Sequence, residues 1–230
     1  VTADSAGSGQ WHWQYTPDDN MSESVLITAT DSDGTETQLR FALMFYNVAP
    51  QAILTGMTID EGQTATVSFT DVSDTSVVDE NAGFEYFYNF GDGNGFVAGS
   101  ATQQAVPQGL LVDSGVVRVQ GQVVDKDGAA SDFGAEIIVN NVAPLLTGLS
   151  VTPSVDENGT VTLQGSFTDV GMGDSHQVRV SWGDGTSSQA VVNVDTRSFN
   201  ATHSYQDNTQ TANPSGADDF VIQVRLSDDD

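Results

Sequence analysis

The sequence has no cysteine, a single lysine at position 126, and only 6 basic residues against 32 acidic ones. Without cysteine there is no disulfide framework and no thiolate metal site, and three scattered histidines argue against a zinc centre. One lysine leaves almost no scope for lysine–asparagine cross-links. The net charge of -26 excludes nucleic acid as a partner, because a phosphate backbone would be repelled everywhere. No apolar run approaches the about 20 residues of a membrane span, so no membrane contact is expected in this segment, and no signal peptide opens the chain. Proline is scarce too, with 6 in 230 residues, yet two of them close the same tetrapeptide, Asn-Val-Ala-Pro, at 47–50 and 141–144.

What is present is aspartate: 25 of the 32 acids are Asp and 7 are Glu, a bias toward turns and oxygen-rich loops and away from helix faces. Hydrophobic residues make up 38% of the chain and alternate regularly, which excludes the disorder that an acidic composition by itself would suggest. Phe220, Ile222, Val224 and Leu226 fall on one face of a short run, as do Trp11, Trp13 and Tyr15, and Val178, Val180 and Trp182. Period-2 runs punctuated by Asp-Gly turns, with almost no helical periodicity, predict antiparallel strands with one wet face.

The chain also repeats itself. The sequences DSDG at 31–34 and DKDG at 125–128 are 94 residues apart, the same offset as the two NVAP copies. IDEGQTATVSFTDVSD from Ile59 matches VDENGTVTLQGSFTDVGMGD from Val155, and FYNFGDG ending at Gly93 matches VSWGDG ending at Gly185. The closing FVIQVRLSDDD matches VLITATDSD from Val25. Blocks in constant order define a tandem repeat of roughly 90–100 residues, enough for about seven short strands each, which is the arithmetic of an immunoglobulin-like sandwich.

The FGDG and WGDG turns, THSY at Thr202–Tyr205 and the closing V-x-V-x-x-x-D-x-D resemble the polycystic-kidney-disease (PKD) repeat of secreted and surface proteins. The NVAP linker with DEG and DxDG is similar to the tandem immunoglobulin-like and cadherin-like repeats of very large bacterial surface proteins. The resemblance implies an all-β fold of tandem immunoglobulin-like (PKD-like) antiparallel β-sandwiches. Residues 1–48 are expected to be the C-terminal half of one repeat, 49–142 a complete repeat, and 143–230 a repeat lacking its last strand. The chain is therefore expected to be a window cut from a longer array. The middle repeat departs from the pattern: QAVPQG stands where the third has THSY, so its corner must be fixed differently.

In such a sandwich the loops between the second and third strands and between the last two lie at the N-terminal end, and the first loop lies at the other. The expected gatherings are therefore Asp71, Asp74, Asp125 and Asp127 with linker Asn47, then Asp60 and Glu61 with linker Asn141 and with Asp169, Asp174, Asp228 and Asp230. Asp31 and Asp33 of the first DxDG turn are candidates of the same type. Two carboxylates about 4 Å apart repel by about 4 kcal/mol at an effective dielectric of about 20. A hard cation accepting about 6–8 oxygens removes that repulsion, and calcium tolerates irregular oxygen geometry better than magnesium. Ca2+ is thus the expected cofactor, although Asp-Gly pairs also make ordinary hairpin turns, notably at Asp92 and Asp184.

Other constellations are weaker. The Trp11, Trp13, Tyr15 and Trp182 set and the Phe84, Tyr86, Tyr88 and Phe90 row are expected in cores rather than on a sugar platform, and His203 and Tyr205 are expected to fix a corner. No nucleophile elbow, phosphate loop or HExxH motif occurs, and the paired acids lie on turns without a partner base, so the chain is not expected to be an enzyme. The expected role is a structural and adhesive segment of an extracellular, cell-surface stalk, adhesin or filament of bacterial type. Its partners would be neighbouring repeats or like copies, with polysaccharide or a surface protein as a further partner. The alternative is a polysaccharide- or protein-binding accessory module of a secreted hydrolase.

Overall fold

The fold is given by a computed structural model that describes residues 2–3, 11–99, 101–156, 158–206 and 218–230. Strands form where the sequence alternates. β1 (Thr2–Ala3) and β2 (Trp11–His12) make a short antiparallel pair. β3 (Met21–Thr30) and β4 (Glu36–Phe45) form a hairpin with Met21 opposite Phe45 and Thr30 opposite Glu36. The intervening Asp31-Ser32-Asp33-Gly34 turn places Gly34 at φ 83°, a region closed to most side chains.

β5 (Gln51–Thr55), β6 (Thr58–Asp60), β7 (Thr66–Ser73), α1 (Val77–Ala82), β8 (Glu85–Asn89), β9 (Val97–Gly99), β10 (Gln103–Ala105), β11 (Gly115–Val124) and β12 (Ala130–Asn140) follow. They make one sheet in the order β10-β7-β5 and another in the order β6-β12-β11-β8-β9, in which β6 runs parallel to β12. The last strands are β13 (Leu145–Val151), β14 (Thr160–Thr168), β15 (Gln177–Ser181), β16 (Ser187–Gln189), β17 (Val191–Asn193), β18 (Ser198–Ser204) and β19 (Gln223–Ser227). Their sheets run β13-β14-β18-β17 and β16-β15-β19. The first of these orders is the A-B-E-D sheet of an immunoglobulin sandwich, and β15 beside β19 is its C–F pair. The architecture is all-β and immunoglobulin-like.

The chain divides into two compact units, one of residues 1–56, 67–104 and 118–135, the other of 57–66, 105–117 and 136–230. Each holds one NVAP linker together with chain from both sides of it. In the first unit the core is aromatic: Phe69 lies 5.6, 5.5 and 5.8 Å from the rings of Tyr86, Tyr88 and Phe133. Gly121 makes room for it, since a Cβ there would sit 2.5 Å from Phe69 Cζ.

In the second unit Val161, Leu163, Phe167, Phe199 and Ala201 from one sheet meet Val178, Val180 and Trp182 from the other. Ile222, Val224 and Leu226 pack against that cluster, on the face that the alternation assigns them. Burying eight such side chains at roughly 1.5–3 kcal/mol each is the main favourable term of this sandwich. The corner is built as the sequence suggests: His203 stacks 4.9 Å from Trp182, and Tyr205 Oη donates to the Trp182 carbonyl at 2.7 Å. At the corresponding place in QAVPQG, Val106 N–H donates to the Ala65 carbonyl, and a one-turn 3-10 helix over Gln108–Leu110 leads to fully buried Leu111.

One expectation fails, and one element comes as a surprise. Trp182 is 1% exposed, but Trp11 and Tyr15 are 48% and 42% exposed rather than core. The reason is architectural: among the described residues Trp11 sits in the two-stranded β1–β2 pair, and Tyr15 follows it outside any strand. The surprise is α1, a helix inside a strand-to-strand loop. Ser76 caps it by accepting a hydrogen bond from Asp79 N–H at 3.2 Å, a Ser-x-x-Asp arrangement that sequence reasoning passed over.

Candidate metal centres

The two DxDG turns are built alike. The Asp31 N–H donates to the Thr35 carbonyl and Gly34 N–H to the Asp31 carbonyl, while Asp31 Oδ1 accepts from the N–H groups of Asp33 and Thr35. Asp125 repeats the pattern with Ala129, Gly128 and Asp127. One carboxylate oxygen therefore fastens the turn and the other is left to face outward. At Asp125 that second oxygen accepts from the linker amide, Asn47 Nδ2, at 2.9 Å.

In the first unit Asp74, Asp79 and Asp125 bring one oxygen each within 4.8 Å of one another, and so do Asp19, Asp79 and Asp127. α1 supplies the shared member: Asp79, in its first turn, is fully buried and its Oδ2 has no hydrogen-bond partner. Lys126 Nζ lies 2.8 Å from Asp19 Oδ2 and 3.1 Å from Asp79 Oδ1, and also contacts Asp127 Oδ2. Hydrogen bonds to Asp127 and Asp19 push the Lys126 ammonium well above the usual lysine range, and the bond from Lys126 holds Asp19 below the usual carboxylate range.

The second unit assembles Glu61, Asp113, Asp174 and Asp230, again with ligand oxygens within 4.8 Å of one another, and beside them Asp169, Asp174 and His176. Glu61 is placed by the strand ends: its N–H donates to the Asn140 carbonyl, and its Oε1 accepts from the Val142 N–H of the second linker at 2.5 Å. Asp174 is placed by a glycine loop. Gly173 N–H donates to the Val112 carbonyl, which brings Asp113 alongside, and a Cβ at Gly171 would lie 2.2 Å from Asp174 Oδ2.

The oxygens that matter are starved of partners. Glu61 is 2% exposed and its Oε2 has no hydrogen bond, nor has either oxygen of Asp174 or Oδ2 of Asp228. Burial, then repulsion from Glu61, Asp169, Asp230 and Asp113, pushes Asp174 up to about 6. Burial likewise pushes Glu61 up, against the hydrogen bond from Val142, with Asp169, Asp230 and Asp113 adding to it. These are the signs of a carboxylate set that lacks its counter-charge. An all-oxygen donor set of this kind suits a hard divalent cation.

Not every candidate joins a cluster. Asp71 is exposed with φ 53° at the irregularity between β5 and β7, and that bulge turns it outward. Asp60 is exposed and accepts from Asn140 Nδ2 at 3.2 Å, while linker Asn141 is exposed. Asp31 and Asp33 lie on an exposed hairpin turn. Asp169 does join a set, with Asp174 and His176, and its buried side chain is engaged by His176 Nε2 at 2.6 Å, with Arg197 Nη1 3.9 Å away. The GDG acids fasten turns: Asp92 accepts from the N–H and side chain of Asn94, and Asp184 from the N–H and hydroxyl of Thr186. Sequence reasoning missed Asp19, Asp79, Asp113 and His176. Only Asp79 carried a readable signal, through the helix-capping pattern.

No protein-family model and no curated protein sequence matches the chain. Among solved structures it is similar to a tetra-tandem repeat in the extending region of a large adhesion protein, at 20% identity and a TM-score of 0.37, covering 91% of this chain and 56% of that one. It is also similar to carbohydrate-binding modules of the β-sandwich superfamily, at 13% identity and a TM-score of 0.34, covering 80% and 97%. A third likeness is to a Ca2+-stabilized adhesin of an Antarctic bacterium that binds ice, at 14% identity and a TM-score of 0.30, covering 90% of this chain and 55% of that one. These likenesses are too distant to bear on function, and the strand order given above is what establishes the immunoglobulin-like fold.

Proposed function

We propose that the chain is a non-catalytic structural and adhesive segment of an extracellular bacterial stalk, adhesin or filament. It would be built of tandem PKD-like sandwiches with repeats over 1–48, 49–142 and 143–230. Calcium held by acidic residues at a junction, as beside the second NVAP linker, stiffens the passage from one repeat to the next, and length comes from repetition.

The observation that carries this reading is the set of Glu61, Asp113, Asp174 and Asp230. It combines carboxylates from both sides of the second linker and leaves the buried Glu61 Oε2 and both Asp174 oxygens without partners. A cation coordinated there would bind residues before and after the linker to one centre. Calcium is favoured over zinc by the oxygen-only donors and over magnesium by their irregular origin from separate loops.

Isothermal titration with Ca2+ and thermal melting with and without chelator test it. A binding heat and a melting temperature that falls on chelation are expected, and both effects should shrink in Glu61→Gln. A melting temperature indifferent to both calcium and chelator would sink the proposal. The second reading, a polysaccharide-binding accessory module, draws on the exposed Trp11 and Tyr15 and on the parallel stack of Trp13 and Tyr15 at 5.7 Å. Glycan-array binding that Trp11→Ala abolishes would favour it.

A further inference from the structure

The two acidic clusters carry different counter-charges. In the first unit, one ammonium reaches three carboxylates drawn from three separate segments: Asp19 ahead of β3, Asp79 in α1 and Asp127 in the hairpin turn. That is the geometric task of a coordinated ion. Asp74 Oδ2 and Asp79 Oδ2 of the first unit lack a hydrogen-bond partner, but the ammonium stands 3.1 Å from the other oxygen of that Asp79 carboxylate. In the second unit Glu61 Oε2 and both oxygens of Asp174 lack one as well, with no such ammonium beside them among the described residues. Arg197 donates to the Gly171 carbonyl at 3.2 Å and lies 3.3 Å from His176 Nε2, but among the described carboxylates its ion pair is with Asp169, at 3.9 Å, and not with Glu61 or Asp174.

The difference is written at one position. Asp125-Lys126-Asp127 aligns with Asp228-Asp229-Asp230 as the D-x-D that directly follows β11 in one repeat and β19 in the next, so Asp229 stands where Lys126 stands, and Ser32 stands there in the first DxDG turn. Asp229 Oδ1 accepts from Ser175 N–H at 2.8 Å, so it lies against the loop that carries Asp174 and adds negative charge where Lys126 would add positive. A Lys-to-Asp exchange alters the local charge by two. The turn itself does not depend on this residue, because its hydrogen bonds are made by Asp125, Asp127, Gly128 and Ala129.

We infer that Lys126 is a built-in counter-ion that takes the place of a divalent cation in the first cluster, so that only the second cluster is metal-dependent. The middle residue of the D-x-D motif thereby decides whether a linker is held by an ammonium or by a metal. This deepens the calcium reading and rests on it for the second cluster alone. A divalent cation entering the first cluster would have to share Asp79 with an ammonium 3.1 Å from its Oδ1, and that like-charge contact lowers its affinity.

The test is calcium stoichiometry by isothermal titration for the full chain and four variants. One equivalent is expected for the wild type, one for Lys126→Arg, none for Asp174→Asn, and two for Lys126→Met, whose new equivalent persists in Lys126→Met/Asp174→Asn. Two equivalents in the wild type with one surviving Asp174→Asn would overturn the inference, as would a folded Lys126→Met that gains none. If the wild type binds none and Lys126→Met binds one, the calcium reading of the second cluster fails while the counter-ion role of Lys126 stands. Should Lys126→Met not fold, Mn2+ broadening in the wild-type amide spectrum decides. Loss of signal around 113 and 173–175 with 126–128 intact supports the inference, and broadening at 126–128 overturns it.

Discussion

Replacing Asp174 by Asn should stabilise the ion-free protein and abolish its response to calcium. The Asp174 carboxyl is pushed from 3.8 to about 6, first by burial and then by the carboxylates around it. A carboxyl whose folded value lies above its unfolded value is penalised once it ionises. Stability is therefore full below about pH 4, falls as pH rises through the window from about 4 to 6, and stays low above it. Two units of displacement correspond to about 3 kcal/mol at neutral pH. For a chain of this length that is a shift of about 6–12 °C in melting temperature. The assay is circular dichroism melting from pH 4 to 8, in chelator and in millimolar calcium. In chelator the wild type should lose stability between pH 4 and 7, and the loss should vanish in calcium, because the cation binds only the ionised cluster. Asp174→Asn should show a nearly level profile in chelator and little gain from calcium. If Asp174→Asn melts below the wild type in chelator at pH 7, or the wild type grows steadily more stable from pH 4 to 7 there, the reasoning is refuted.

Trp182→Ala removes a 1%-exposed ring and its contacts with His203 and Ser188, and should cost about 3–5 kcal/mol in denaturant unfolding. Gly165→Ala would put a Cβ 2.3 Å from Phe199 Cζ and 2.8 Å from the Gly148 carbonyl oxygen, so about 1–3 kcal/mol of destabilisation is expected by the same assay. Burial pulls the Asp184 carboxyl upward, but hydrogen bonds from Thr186 and His203 outweigh it and hold the group at about 2. Its stabilising contribution, reduced by solvent screening at this exposed site, is present above about pH 4 and is lost as pH falls through 2, so Asp184→Asn should flatten that part of the acid-unfolding curve.

Alternation made the strands legible, because side chains on one face of a half-buried sheet must be apolar and their neighbours need not be. Val178, Val180, Trp182, Val224 and Leu226 sit in the core for that reason. Repetition of short motifs made the turns legible, and through them Asp74, Asp125, Glu61, Asp174 and Asp230. The remainder depended on facts that no local pattern holds. Asp71 occupies the same motif position as Asp169, yet a bulge aims it at solvent. Asp113 has no motif at all and is recruited by backbone hydrogen bonds between distant loops, from Gly173 N–H to the Val112 carbonyl and from Gly62 N–H to the Leu111 carbonyl. Trp11 and Tyr15 alternate like core residues, but Trp11 lies in a two-stranded pair and Tyr15 outside any strand, which periodicity does not report.

The DxDG hairpin has a kinetic consequence. At Asp125 the chain's own amides occupy one oxygen, so the other is aimed before any counter-charge arrives. A loop fixed in this way has little left to order on capture, and the entropy of association is correspondingly small. Exchange of ions at such a turn is then governed by desolvation and diffusion rather than by loop rearrangement. An array of these hinges would follow changes in its ionic surroundings promptly, while each lysine-bearing hinge kept its setting.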